Sequence, residues 1–268
     1  MKKMISAPYL VWMTVFIAVP LLMVAYFAFT TMDGQFTLNN IKEVAKYSDV
    51  FIKSIVLAAI ATVICLLMAY PIALILSRMD KNKQSTMLMI VMLPMWMNFL
   101  LRTYAWQALL DNNGIINTLL GYIGLGPFKM LNTQGAVVLG MVYNYIPYMI
   151  LPLYSVMVKI DKSVIEAASD LGCNSLKTLT KVILPLSMPG IISGITMVFV
   201  PAISTFIISR MLGGGSEMLI GDLIEMQFLG NAYNYNLGAG ISLVLMVIVL
   251  VIMAIMNMFG DTEDQVLI

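Results

Sequence analysis

The sequence contains no histidine. That absence removes Ser-His and Cys-His nucleophilic pairs and every imidazole metal ligand. Charge is also scarce: Asp, Glu, Lys and Arg make up 11% of the chain, where a soluble domain carries about 25%. With 60% of residues hydrophobic, most of the surface is expected to face lipid. The net charge of +1 leaves no basic footprint, so no nucleic-acid partner is expected. Cys65 lies in an apolar run and Cys173 in a polar segment, far apart in sequence. Two such thiols without histidine offer no zinc site, and no disulfide or metal centre is expected. No Gly-x-x-x-x-Gly-Lys-Ser/Thr occurs, so the chain has no phosphate loop for ATP.

What is present is a series of charge-free windows. They run between Lys3 and Asp33, and across Ser54–Ser77, Gln84–Leu101, Met130–Val158, Val182–Ser209 and Met226–Gly260. A helix needs about 20 apolar residues to cross a bilayer. The windows predict an all-α integral membrane protein with a single transmembrane domain, 1–268, and six spans near 8–30, 55–77, 87–109, 135–157, 186–208 and 237–259. The first window is too long for a secretory signal core of about 7–15 residues, so it is read as a retained helix.

Orientation follows from the basic residues. With six spans and an inside N-terminus, the inner parts hold Lys2, Lys3, Arg78, Lys81, Lys83, Lys159, Lys162, Lys177 and Lys181. The outer parts hold only Lys42, Lys46, Lys53, Lys129 and Arg210. The bias predicts that both termini are cytoplasmic. Arg102 is a charge inside a span, expected to pair with a carboxylate of a partner subunit or to snorkel to the outer interface. Gly190 and Gly194 form a small-xxx-small pattern, expected to pack within the bundle. Pro185, Pro189 and Pro201 bracket the fifth span, which places it in the interior rather than against lipid.

Between spans four and five lies a polar loop, 159–185. Ser163 with Glu166 three residues on reads as a capping box, and Ala167 and Ala168 favour helix. Gly172 then stops the helix, which is expected over about 164–171. A second helical stretch carries Leu176, Leu179, Val182 and Ile183 at helical spacing up to Pro185. From the residues alone, this is either a solvated loop or a docking feature for another protein.

The loop resembles the Glu-Ala-Ala loop of permease subunits in ATP-binding-cassette importers. In that pattern Glu-Ala-Ala is followed after three residues by Gly, then by nine residues, Ile, any residue and Leu-Pro. Glu166, Ala167, Ala168, Gly172, Leu184 and Pro185 match, and Val182 stands at the Ile position. Further likeness, in particular to permeases of spermidine/putrescine importers, lies in 93–104, 113–117, 143–154, 184–194 and 211–215. The resemblance implies a type I importer permease (MetI-like) fold in the bacterial plasma membrane and no catalytic residue in this chain. It implies ATPase coupling through Glu166, Ala167, Ala168, Asp170, Leu171, Gly172, Leu184 and Pro185. The partners implied are a second permease (PotC-type), an ATPase dimer (PotA-type) that binds ATP and Mg, and an external polyamine-binding protein (PotD-type). In such a machine ATP binding closes the ATPase dimer, and the loop carries that motion to the membrane helices.

A polyamine is a row of ammonium groups on methylene spacers, and aromatic faces, carbonyls and carboxylates suit it. The path candidates are Trp96, Asn98, Tyr104, Tyr143, Asn144, Tyr145, Tyr148 and Ser204. Each has an ordinary reading as packing or as an interfacial belt residue, and Asn98 and Asn144 read as buried amides. Asp111, Glu217, Asp222 and Glu225 are candidates to draw in cations or to meet the binding protein outside. The alternative is the same machine for an organophosphonate, thiamine, iron or an anion. A stand-alone channel or secondary transporter should show ion-coupling acids inside spans or an internal inverted repeat, and no span carries an Asp or Glu.

Overall fold

The computed structural model describes residues 7–215, 217–230 and 233–264, which are helical apart from loops and one isolated bridge between Thr30 and Phe36. Lys2 and Lys3, part of the orientation reading, lie outside the described residues. Among the described residues, four helices are long and apolar enough to cross a membrane. They are α1 (7–28, with a π-turn over Thr14–Ala18), α2 (Asn39–Arg78), the helix Gln134–Met157 and the helix that starts at Tyr235. Two further segments qualify only as bent pairs.

The centre of the bundle is α2. Along one face it places Ser54, Ala58, Ala61, Cys65, Ala69 and Ala73, all fully buried. Steps of three and four residues keep these small side chains on one stripe. Small side chains let backbones approach closely, which drives helix association where lipid supplies no hydrophobic force. Cys65 sits in this seam as a free thiol and Cys173 is also free, so neither forms a disulfide.

The third expected span, 87–109, is not one helix. The chain forms α3 (Lys81–Trp96) and α4 (Phe99–Leu110), and α5 (Ile115–Tyr122) follows. The path turns by 85° at the break. The cause is local. Pro94 lies in the last turn of α3, and Met97 and Asn98 adopt extended ψ angles of 146° and 130°. Asn98 then caps α4, accepting from Leu100 N–H at 2.8 Å.

Helix α6 (Gln134–Met157) packs along α2. The 159–185 loop supplies α7 (Lys162–Asp170) and most of α8 (Ser175–Leu186), and α9 (Met188–Ile203) follows. The expected fifth span, 186–208, therefore ends early at Ile203, and α10 (Ile207–Leu212) and α11 (Ile220–Leu229) come after a turn. Pro201 removes one backbone donor near that end. As expected, α9 is interior, with Ile191, Val198, Phe199, Ala202 and Ile203 buried. Gly190 lies against the Pro152 carbonyl and Val156 of α6, and Gly194 lies against Met149. The Gly-x-x-x-Gly pair is thus a packing seam within the bundle.

Helix α12 (Tyr235–Asp264) closes the bundle beside α1. The end of α1 is tied by two amides. Asn40 donates to the carbonyls of Ala28 and Thr30 at 3.1 and 2.9 Å, and Asn236 donates to those of Phe27 and Thr30 at 3.1 and 2.7 Å. These bonds satisfy carbonyls that a helix end leaves free.

Candidate functional site

The 159–185 loop is a built structure. Helix α7 begins at Asp161, whose carboxylate accepts from Ser163 N–H at 3.0 Å. The expected capping box of Ser163 and Glu166 is therefore displaced: Asp161 is the cap, and Ser163 lies inside the helix. A carboxylate is the stronger acceptor and also meets the positive end of the helix dipole. Those hydrogen bonds hold the Asp161 carboxyl below its ordinary value. The C-terminal end matches the expectation. Gly172 has φ +80°, Cys173 N–H donates to Ala168 C=O at 3.0 Å and Gly172 N–H to Ser169 C=O at 2.9 Å. This is a Schellman stop, which needs a left-handed residue in the position Gly172 holds.

Helix α7 has two faces. Val164, Ala167 and Leu171 follow helical spacing and are exposed, Leu171 at 85%. Lys162, Ile165, Glu166 and Ser169 line a cleft of about 780 Å³ that also borders Arg78 at the end of α2. Among the expected coupling residues, Ala168 is buried and Asp170, Leu184 and Pro185 are exposed. Val164, Ala167 and Leu171 thus form an exposed, mainly apolar stripe on a capped helix.

The loop is tied to the membrane helices at Ser187, missed from sequence because Ser187 lies just past the Leu184–Pro185 motif. The chain bends by 67° between α8 and α9 there. Ser187 is fully buried, and its Oγ lies 3.1 Å from the Tyr70 hydroxyl of α2. Asn174, also unassigned from sequence, caps α8 by accepting from Lys177 N–H at 2.9 Å. Nearby, Tyr154 of α6 donates to Gln84 Oε1 of α3 at 3.0 Å while Gln84 donates to the Met79 carbonyl at 2.8 Å.

The path candidates do not converge on one pocket. Trp96 is exposed beside the α3–α4 break, and Asn98 is an exposed helix cap rather than a buried amide. Tyr104 and Asp111 share an open cleft of about 460 Å³ with Gln107 and Asn113. Tyr143 stands edge-on to Trp106, 5.4 Å between centroids, in a separate and mostly apolar groove. Asn144 is buried and donates to Gly140 C=O at 2.8 Å, while its Oδ1 has no partner among the described residues. Tyr145 donates to the Pro201 carbonyl at 3.3 Å and packs near Tyr148. Ser204 donates to Val200 C=O at 3.1 Å beside α12.

Arg102 does not snorkel. It is 8% exposed, with its guanidinium 6.0 Å from the Phe99 ring centroid. Its Nε and Nη1 have no hydrogen-bond partner among the described residues. Three of the four acids expected outside are engaged. Glu217 pairs with Lys53, and Glu225 forms a bidentate pair with Arg210. Asp222 is buried and accepts from Leu219 N–H at 2.9 Å. Burial pushes its carboxyl up, and hydrogen bonds from Ser209 and Leu219 pull the other way. Ser54 Oγ accepts from Ile220 N–H at 2.9 Å, which fixes α11 on α2. Of the four outer acids, Asp111 alone is exposed and without an ion pair among the described residues.

Residues 69–261 match the family of binding-protein-dependent transport system inner membrane components. The spermidine/putrescine transport system permease protein PotB of Haemophilus influenzae is 38% identical over 244 residues, covering 87% of this chain and 85% of that one. The protein of the same name from Escherichia coli is 36% identical, covering 87% and 88%. The inner membrane ABC transporter permease protein YdcU of Escherichia coli is 28% identical over 247 residues, covering 86% and 78%. A chain in a crystal structure of a bacterial ABC transporter for alginate import superposes with a TM-score of 0.80 over 95% of this chain and 93% of that one. At 16% identity that likeness speaks for the fold alone.

Proposed function

This chain belongs to the family of binding-protein-dependent transport system inner membrane components, and from that membership we propose that it is one permease half of an ATP-driven importer for spermidine and putrescine. The observation that carries the solute is the identity of 36–38% to spermidine/putrescine permeases across 87% of the chain. The chain works in the bacterial inner membrane. Six spans with both termini inside accommodate the four long helices and the two bent pairs, and they put the 159–185 loop in the cytoplasm.

In this reading, the exposed stripe of Val164, Ala167 and Leu171, with Glu166 and Asp170 beside it, docks on a partner ATPase, which binds ATP and Mg. Asp161 at one end and Gly172 at the other keep α7 a single rigid body. Leu184 and Pro185 lead directly into the 67° bend at Ser187, so displacement of α7 is transmitted to α9 and, through Tyr70, to α2. A second permease supplies the other half of the path and an external polyamine-binding protein delivers the solute. Asp111 and Tyr104, which share an open cleft, are the pair here best suited to an ammonium group: a carboxylate beside an aromatic face. Trp96, Asn98, Tyr143, Asn144, Tyr145, Tyr148 and Ser204 line or shape the path only where the partner permease completes it.

The test is uptake of radiolabelled spermidine by proteoliposomes that hold this chain with its second permease, ATPase and binding protein. Uptake is expected to need ATP and all four components. Uptake by this chain alone without ATP, or ATP-driven uptake that excludes spermidine and putrescine, overturns the reading.

A further inference from the structure

Apart from Glu166, which the docking reading also uses, the cleft behind α7 is lined by residues that docking on an ATPase does not use. Its volume is about 780 Å³, and it lies between the end of α2, the inner face of α7 and the first turns of α8. Arg78, the last residue of the 40-residue apolar helix α2, borders it. The Nη2 of Arg78 is shielded from solvent and has no hydrogen-bond partner among the described residues. Lys162 and Glu166 also line the cleft, while Leu74, Leu179 and Ile183 supply an apolar wall that continues toward the membrane. A shielded Nη2 donor without an acceptor costs free energy until an acceptor arrives, and a planar fork of N–H donors matches a phosphate.

We propose that this cleft binds the headgroup of a monoanionic inner-leaflet phospholipid with a hydroxylated headgroup, such as phosphatidylglycerol. Charge decides the class. Two cations and one carboxylate line the cleft, which leaves one positive charge for one phosphodiester. The phosphate oxygens accept from Arg78 and Lys162, the headgroup hydroxyls donate to Glu166, and an acyl chain follows the wall of Leu74 and Ile183. Basic pockets between helices at the cytoplasmic surface are suited to anionic headgroups for this reason. The lipid would wedge α7 against α2, so the membrane itself would help to set the stiffness of the lever. The site takes its side of the membrane from the importer reading. Its test counts bound lipid rather than transport, so the two fail separately.

The importer complex is purified and placed in nanodiscs of equal parts phosphatidylglycerol and phosphatidylethanolamine, then extracted, and retained lipid is counted by native mass spectrometry. Preferential retention of phosphatidylglycerol is expected. Arg78→Gln and Lys162→Gln are each expected to lower that retention about fivefold, and Arg78→Lys less than Arg78→Gln because the charge stays and the fork is lost. Equal retention of phosphatidylethanolamine by the unaltered protein overturns the proposal, whether or not the variants fold. Undiminished retention of phosphatidylglycerol in a folded double variant overturns it as well.

Discussion

The Tyr70 hydroxyl donates to Ser187 Oγ across 3.1 Å, at the residue where α8 turns by 67° into α9. The direction follows from stoichiometry. A serine hydroxyl has one proton, and that of Ser187 goes to the Leu184 carbonyl at 2.9 Å, so Tyr70 must be the donor. The bond joins the end of the 159–185 loop to the central helix at the bend. Tyr70→Phe and Ser187→Ala are each expected to lower stability by about 1 kcal/mol, the usual worth of such a bond. They are also expected to lower spermidine uptake per ATP hydrolysed. Thermal unfolding of the single and double variants measures the pair, and fully additive losses would show that the two hydroxyls are not coupled.

Gly172 is a second mechanical point. At φ +80°, any side chain strains the backbone by about 1–2 kcal/mol. A Cβ there meets no atom within 4 Å, so the effect is conformational and not steric. Gly172→Val is expected to leave membrane insertion intact and to loosen the end of α7. Gly172→Asn, which tolerates the left-handed region better, is expected to lose less. The measurement is ATPase stimulation by loaded binding protein in proteoliposomes. Equal stimulation for Val, Asn and the native residue, at equal expression, argues against α7 as the lever.

The Asp161 cap gives the loop a pH signature. Its folded carboxyl lies below its ordinary value because of the hydrogen bonds from Ser163. A depressed folded pKa means that the cap is fully formed above the ordinary aspartate value of about 3.9. It is lost as pH falls through the lower folded value. A carbon-13 carboxyl titration of the full chain in detergent is expected to place the Asp161 midpoint below about 3.9. A midpoint at or above that value would show an uncapped helix. Asp161→Ala is expected to fray the first turn of α7 at all pH values.

At the α6–α9 seam, a Cβ on Gly194 would stand 2.6 Å from Met149 Sδ, and Met149 is fully buried. Gly194→Ala is therefore expected to cost about 1–3 kcal/mol through overpacking. Met149→Ala alone is expected to cost about 2–5 kcal/mol through the cavity it leaves, and less in the Gly194→Ala background, where the added methyl fills part of that space. Thermal unfolding of the two single variants and the double variant decides it, and a double variant whose loss equals the sum of the single losses would place the strain elsewhere.

The long apolar windows and the Glu-Ala-Ala spacing were legible because each rests on a local rule: bilayer thickness, or a glycine stop after a helix. The 85° break after Trp96 was not. Hydropathy averages over the window and passes straight across Pro94, Met97 and Asn98, so Asn98 read as a buried amide although it caps α4. The Asp161 cap was displaced by two residues for a related reason: Ser163 fits the pattern by spacing, yet a carboxylate upstream wins by charge. The outer acids Glu217 and Glu225 read as free because their partners Lys53 and Arg210 are far apart in sequence and meet only in the fold. Asn174 and Ser187 carry no motif at all, and only the packing of α8 gives them roles.

Arg102 yields the sharpest contrast between the chain alone and the assembled importer. It is buried, and neither Nε nor Nη1 has a partner among the described residues. A buried cation without a counter-charge destabilises the protein that holds it, and an apolar side chain of similar length relieves that burden. Arg102→Met is therefore expected to leave the isolated chain as stable as the native one, or more so. In the assembly, an acceptor on the second permease that meets Arg102 would be stranded by the same change, at about 1–3 kcal/mol or more for a charged group. The variant is then expected to melt earlier than the native complex. Thermal unfolding of the native and variant chains in one detergent, each with and without the second permease, separates the two effects. A variant that is destabilised equally in both settings would show that Arg102 acts through its packing within this chain and not through a partner.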